Sequence, residues 1–304
     1  MNRRPKRKSV VNDIQTIDCH YLRPRFAAAY LMIEKDRASF IENNTSHAIP
    51  YLLEALKQNH LSPESVDYII VTHAHLDHAG GTSALLQHCK SATVLAHPKA
   101  ARTLMHPEKL IQSAKRVYGD EAFEKLYGNI TPIPEAKVRS VQDGETFKWG
   151  NRILTFFYTL GHATHHMCLY DSKSQGVFTG DTFGLRYPDL QSQGLFIIPS
   201  TSPIDYDPDE AKKSIDKILT FNPTRLFLTH FGEVDDIANA KIQILKNLDV
   251  HESLFKWAQR NLALGENLVP HIEQQLKKAF QVFEKELELD LKLNAQGIAF
   301  GARK

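Results

Sequence analysis

A chain of 304 residues, 42% hydrophobic and 24% charged, carries enough apolar material for one large or two smaller packed domains, which excludes a disordered, collagenous or coiled-coil polypeptide. The net charge of +2 belongs to the N-terminus: Arg3, Arg4, Lys6, Arg7 and Lys8 supply five positive charges, and without them the +2 becomes −3. Three cysteines, Cys19, Cys89 and Cys168, with no C-x-x-C spacing, argue against a disulfide framework and a cysteine-built zinc site, whereas histidine, at 15 residues, is as numerous as glycine.

The basic residues read as a solvated tail over 1–13. No apolar stretch of secretory type follows them, because Asn12, Asp13 and Gln15 interrupt it, and the early apolar run 27–33 falls far short of the ~20 residues of a membrane span. The expectation is a cytoplasmic protein with no membrane contact.

Residues 27–34 and 38–42 predict a hairpin pair. The stretch 47–58 predicts a helix with Ile49, Leu52, Leu53 and Leu56 on one side and Pro50 in its first turn. A buried strand at 67–72, a helix at 82–89 and a strand at 92–96 follow. A helical insertion runs from Pro98 to Tyr127, with Leu104, Leu110, Ile111 and Val117 at helical spacing. Strands return at 138–141, 152–159, 167–170 and 176–179, then an amphipathic helix at 209–219 carrying Ile215, Ile218 and Leu219, and a last strand at 224–228. Beyond His230 the chain predicts helices, with Ile242, Leu245 and Leu248, then Ile272, Leu276, Phe280, Phe283 and Leu287, as their apolar positions.

Four of the apolar strands run into a metal-type ligand: Tyr68-Ile69-Ile70-Val71-Thr72 into His73, Phe156-Phe157-Tyr158-Thr159-Leu160-Gly161 into His162, Val177-Phe178-Thr179-Gly180 into Asp181, and Leu226-Phe227-Leu228-Thr229 into His230. Loops at one end of a layered sheet converge, so residues distant in sequence can form one site. The first of these strands opens into His73-Ala74-His75-Leu76-Asp77-His78-Ala79-Gly80-Gly81. In extended chain His73 and His75 point the same way and can serve one ion, while Asp77 and His78 sit past the strand in a turn that the glycines permit, where they can serve a second.

In these residues the chain resembles the metallo-β-lactamase fold superfamily. That family's H-x-H-x-D-H motif matches His73-x-His75-x-Asp77-His78, its later single histidine His162, its bridging aspartate Asp181 and its last histidine His230. The resemblance covers residues 14–235 and implies an α/β chain folded as an αββα four-layer sandwich, with 98–134 a helical insertion near the site and 236–304 a C-terminal helical extension. It also implies that His73, His75 and His162 hold a first metal, Asp77, His78 and His230 a second, and that Asp181 bridges both. Two stretches depart from the family pattern. Phe40-Ile41-Glu42-Asn43-Asn44-Thr45 lacks the usual Asp, and His165 and His166 are extra histidines that would support a ligand or contact substrate.

Imidazole and carboxylate donors without cysteine suit two Zn²⁺ per chain, with iron or manganese accepting the same set. The reaction expected is hydrolysis: a metal-bridging hydroxide attacks an ester, thioester, lactone or similar bond of a small-molecule substrate, with Asp77 and Asp181 the carboxylates at the chemistry. Substrate walls are expected in the insertion, with His106, Arg116, Tyr118 and Tyr127, and in the loop 182–202, with Phe183, Arg186, Tyr187, Leu195, Phe196 and Ile197. Arg186 or Tyr187 is a candidate for holding a substrate carboxylate, and His97 for facing the site, although structural roles are the simpler reading of each; Cys168 reads as a core thiol. Alternatives are a mononuclear-iron sulfur or persulfide dioxygenase and a nuclease. The net charge of −3 outside the tail argues against a nucleic-acid partner. The C-terminal helices are expected to pack on the body or on a second copy in a homodimer.

Overall fold

The computed structural model describes residues 10–11, 13–192, 194–202, 205–283 and 285–304, so the expected tail over 1–13 lies outside the described residues but for Val10, Val11 and Asp13. The chain is mixed α/β, with two β-sheets, and divides into two compact units: residues up to Phe156 with Asp171–Gly176, and Phe157–Tyr170 with Val177–Lys304.

The first unit is built on a seven-stranded sheet whose spatial order follows the chain: β1 (Val10–Val11), β2 (Ile14–Asp18), β3 (Ala28–Glu34), β4 (Arg37–Ile41), β5 (Val66–Ile70), β6 (Thr93–Ala96) and β7 (Val138–Ser140). The first four pair antiparallel, and β4 to β7 pair in parallel. Parallel neighbours need crossovers. These are α1 (Ile49–Gln58), then α2 (Leu76–Ala79) with α3 (Thr82–His88), then α4 (Pro98–Met105), α5 (Glu108–Tyr118) and α6 (Asp120–Tyr127). The helix expected at 47–58 begins in a single 3₁₀ turn at Ser46–Ala48, and α1 takes Pro50 in its first turn, where a missing N–H costs nothing. Leu31, Phe40, Ile69 and Val94 of the sheet, with Leu52, Leu56, Leu85 and Leu104 of the helices, make one buried core. The insertion is three short helices. Leu104 is buried in that core, Leu110 and Ile111 pack on a small cluster of Leu76, Phe123 and Tyr127, and the Val117 and Tyr118 side chains lie outside the described residues.

β8 (Thr146–Trp149) and β9 (Arg152–Tyr158) form an antiparallel hairpin. Arg152, fully buried, pairs with the equally buried Asp171 and lies 3.5 Å from Glu34 Oε2, which also accepts from Lys173 Nζ at 3.0 Å. The strands β2, β8 and β13 were not expected from sequence. Each is five residues or fewer and mixes polar with apolar side chains, as in Thr146-Phe147-Lys148-Trp149, so a short alternating strand looks like loop.

The second unit carries β10 (Met167–Asp171) up to Tyr170, most of β11 (Gly176–Gly180), α7 (Pro208–Leu219), β12 (Arg225–Leu228), β13 (Gly232–Val234), α8 (Ile237–Arg260), α9 (Leu268–Ala279) and α10 (Glu288–Gly301). Strands β8 to β13 belong to a six-stranded sheet of order β13-β12-β11-β10-β9-β8. α7 starts at Asp207-Pro208, where Asp207 Oδ1 accepts from the backbone of Asp209 at 2.9 Å and Glu210 at 3.1 Å, a cap of about 1 kcal/mol. Ile215, Ile218, Leu226, Leu228, Ile244 and Leu248 form the core with Phe183 and Ile197.

Three expectations are corrected here. Ile242 is 63% exposed: in the 24-residue α8, Ala240, Ile244, Asn247, Leu248 and His251 supply the buried stripe instead. Phe183, Tyr187 and Ile197, expected to wall the substrate, are core residues of the unit, and Phe196 lays its ring against Phe283 at 4.6 Å. Gly80 and Gly81 both have negative φ, so conformational freedom is not their use. At Gly81 a Cβ would stand 2.7 Å from Thr45 O and 2.9 Å from Asn43 O, and the residue is there for space. No helix among the described residues is long and apolar enough to cross a membrane.

Candidate functional site

The first unit gathers His73, His75, Asp77 and His78 just past the C-terminal end of β5. His73 and His75 do converge, but past the end of the strand and through the bend at 72–73 rather than by strand alternation: Nε2 of His73 lies 2.8 Å from Nδ1 of His75. His73 takes its orientation from Thr72, whose Oγ1 is 3.0 Å from His73 Nδ1. The His78 ring sits 4.0 Å from that of His73, and its Nε2 is 3.8 Å from Asp77 Oδ2.

The departure at Glu42 has a structural answer. Glu42 Oε2 is 3.2 Å from His78 Nδ1, and Glu42 Oε1 accepts from the Thr72 backbone at 2.9 Å, so one buried carboxylate braces the first and the last histidine segment of the motif. The neighbouring asparagines finish the cradle: the amides of Asn43 and Asn44 donate to His78 O at 3.0 and 3.1 Å, and Asn44 Nδ2 donates to Asp77 O at 2.8 Å.

The second unit gathers His162, Asp181 and His230. Asp181 turns one oxygen to each histidine, Oδ2 at 3.5 Å from His162 Nε2 and Oδ1 at 3.6 Å from His230 Nε2. The turn that carries His162 is tied to α7, where Ser214 Oγ donates to Leu160 O at 2.7 Å and the Asp207 amide to Gly161 O at 2.9 Å. His162 Nδ1 is 3.2 Å from Ser200 O, which can only accept, so Nδ1 holds the proton and Nε2 presents its lone pair toward Asp181. Ser200 Oγ in turn donates to Asp181 Oδ2 at 3.0 Å.

The two extra histidines differ. His166 is fully buried: its Nε2 accepts from the Asp181 amide at 3.2 Å, which leaves Nδ1 as donor to Thr159 Oγ1 at 2.8 Å, with Thr182 Oγ1 at 3.2 Å. It steadies the backbone at Asp181. His165 is only half-buried. Of the other candidates, Tyr187 is buried and donates to Asp290 Oδ1 at 3.1 Å, and Tyr127 lies in its own apolar cluster with its OH 3.3 Å from Tyr21 OH. His97 caps α4, its Nδ1 accepting from the Lys99 amide at 3.1 Å. Arg186 is half-buried, and burial pulls its pKa down, with Asp235 acting against that. Cys168 is a core thiol, its Sγ 3.3 Å from Thr159 Oγ1. Sequence reasoning missed Ser200, Thr72 and Thr159: small hydroxyl residues in polar runs carry no motif of their own.

The donor chemistry fits a divalent cation. All seven candidate ligands are among the described residues whose ring nitrogens or carboxylate oxygens are placed to hold a metal ion, and His165 and His166 are not. Asp181, 5% exposed among imidazoles, is a buried carboxylate of the kind that needs a compensating positive charge.

Comparison with known proteins agrees with these residues. The family model described as the metallo-β-lactamase superfamily matches residues 36–230, a stretch that holds all seven. A metallo-β-lactamase fold-containing protein of Sulfurisphaera tokodaii is 29% identical over 215 residues, covering 69% of this chain and 75% of its own length. The crystal structure of an archaeal metallo-β-lactamase superfamily protein from Sulfolobus tokodaii superposes with a TM-score of 0.62 at 28% identity, over 78% of this chain and 85% of that one. A metallo-β-lactamase family protein from Thermus thermophilus shares the fold at a TM-score of 0.62 and 16% identity, over 94% of this chain and 93% of its own. With a His/Asp donor set suited to a divalent metal in the stretch that the family model matches, the chain belongs to the metallo-β-lactamase superfamily and is a metallo-enzyme of that superfamily.

Proposed function

We propose that the protein is a dinuclear metal-dependent hydrolase in which His73, His75 and His162 hold one Zn²⁺, Asp77, His78 and His230 hold the other, and Asp181 spans the two. The observation that carries this reading is the Asp181 carboxylate, with one oxygen facing His162 and the other facing His230. A carboxylate placed in this way can give one oxygen to each of two ions. When bound, such a pair of ions supplies Lewis acidity and a water of lowered pKa.

The chain's own residues do the rest. Ser200 fixes the tautomer of His162, so that Nε2 presents a lone pair, and the buried Glu42 carboxylate beside His78 Nδ1 favours the proton on that nitrogen by charge. Asp77, with 28% of its side chain exposed, is open to solvent where Asp181 is not, and it is the carboxylate placed to pass a proton to a leaving group. The substrates this chemistry suits are small molecules with an ester, thioester, lactone or similar bond.

The test is metal analysis of purified protein coupled to a panel of ester, thioester, lactone and phosphodiester substrates. Two zinc ions per chain with hydrolysis of one class is the expected result, and Asp181→Ala should lose both metal pairing and turnover. One iron per chain with sulfur-dependent oxygen uptake would replace this reading with a sulfur dioxygenase.

A further inference from the structure

We propose that Asn294, in the C-terminal helix α10, is a positioning residue for Asp181 and His162, acting through Ser200; this rests on the metal centre proposed above.

Ser200 is the residue to which both second-unit groups are tethered, its Oγ on Asp181 Oδ2 and its carbonyl on His162 Nδ1. It lies in the loop after β11, and a loop residue holds two partners in place only if the loop is itself fixed. Asn294 fixes it from both sides. Its Nδ2 donates to Pro199 O at 2.9 Å and its Oδ1 accepts from the Thr201 amide at 3.0 Å, so one buried side chain grips the residues before and after Ser200.

The rest of α10 is shaped for the same approach. Residues 290, 294, 297 and 301 recur at helical spacing; Asn294 and Gly297 face this segment, Asp290 faces Tyr187 and Gly301 faces Tyr206. Asp290 takes the Tyr187 hydroxyl at 3.1 Å, and Thr201 Oγ1 donates back to the helix at Leu293 O, 3.2 Å away. At Gly297 a Cβ would collide with Thr201 Oγ1 and lie 2.8 Å from Ser202 O, so only glycine lets the helix come this near. From α8, Asn247 Nδ2 donates to Ile197 O at 2.6 Å and holds the loop three residues upstream. Helices present only for burial do not need a side-chain amide from each, Asn294 from α10 and Asn247 from α8, spent on one loop's backbone.

The experiment measures zinc affinity by competition with a chromogenic chelator, alongside thermal stability, for wild type and four variants. Asn294→Ala removes both bonds. Asn294→Asp keeps the volume and the acceptor for Thr201 but sets an oxygen against Pro199 O, and it serves if the alanine variant does not fold. Ile298→Ala takes buried volume from the same helix without touching either bond. The expected result is a loss of about 10- to 100-fold in zinc affinity for both Asn294 variants, the range found when groups that orient metal ligands are removed, with Ile298→Ala losing stability but binding zinc as wild type does. Asn294 variants that bind zinc no more weakly than Ile298→Ala would overturn the proposal. Asp181→Ala separates the two levels: if it binds zinc like wild type, the metal centre itself is wrong, whereas if it loses zinc and the Asn294 variants do not, only the role of α10 falls.

Discussion

Glu42 Oε2 stands 3.2 Å from His78 Nδ1, with both side chains shut away from solvent. A carboxylate in that place favours, by its charge, a proton on Nδ1 and so the tautomer that leaves Nε2 as a lone pair. Glu42→Ala is therefore expected to weaken zinc binding about 10- to 100-fold, and to cost about 1–3 kcal/mol of stability because the Thr72 amide loses its acceptor. Chelator competition and denaturant unfolding measure the two effects; undiminished zinc affinity would show that His78 is oriented by something else.

Arg152 and Asp171 form a buried ion pair in the first unit, with Glu34 beside them. Truncating one member leaves a charge without its partner in a dry interior. Arg152→Ala should destabilise the protein by about 3–5 kcal/mol, read as a lower urea midpoint at unchanged slope. A loss below about 1 kcal/mol, the scale of a solvent-exposed pair, would mean that water reaches Asp171 in solution.

His251 sits in the middle of α8 with no exposed surface, its Nδ1 3.4 Å from the Tyr206 hydroxyl, and burial pushes its pKa down to about 3. In the unfolded chain an imidazole titrates near about 6.5. Below that pH the unfolded state takes up a proton that the folded state refuses, so stability falls as pH drops from about 6.5 toward 3, by at most about 1.4 kcal/mol per pH unit from this group. Above about pH 6.5 the contribution is flat. His251→Gln keeps an acceptor for Tyr206 and should flatten the curve by that amount over the acidic range; identical pH profiles for the two proteins would place the proton elsewhere.

Cys19, Cys89 and Cys168 are all buried thiols outside any disulfide, and burial raises the thiol pKa of Cys19 and Cys89, the latter to about 12. A thiolate is the reactive form. Native protein should give no rapid reaction with a disulfide reagent and about three equivalents after unfolding. A fast native equivalent would identify a local opening at one of these three positions.

The strand ends that deliver His73, His162, Asp181 and His230 were legible because an apolar run stopped by a polar ligand is a one-dimensional pattern. The same holds for α1 and α7, where Pro50 and Asp207-Pro208 announce the start and a repeating apolar face the rest. What supports the ligands was not legible. Glu42 and His78 are 36 positions apart, and Ser200 and Asn294 are 94 apart; such pairs exist only once the chain is folded, and a glutamate or an asparagine in isolation reads as a solvated polar residue. Ile242 failed for a related reason. In a helix of 24 residues an apolar face drifts around the axis, and the buried stripe is chosen by whatever the helix packs on.

The bonds from Asn43 and Asn44 to His78 O, from Asn44 to Asp77 O, and from Gly81 back to Asn44 O mean that the segment 73–81 is held from outside as well as by the bonds of α2. The hexapeptide from His73 to His78, moved alone into another scaffold, would carry the donors and leave their geometry behind. The smallest transferable unit is a pair of strands, β4 with residues 42–45 and β5 with residues 71–81. A designer who copies only the histidines should recover a loose imidazole chelator of metal ions.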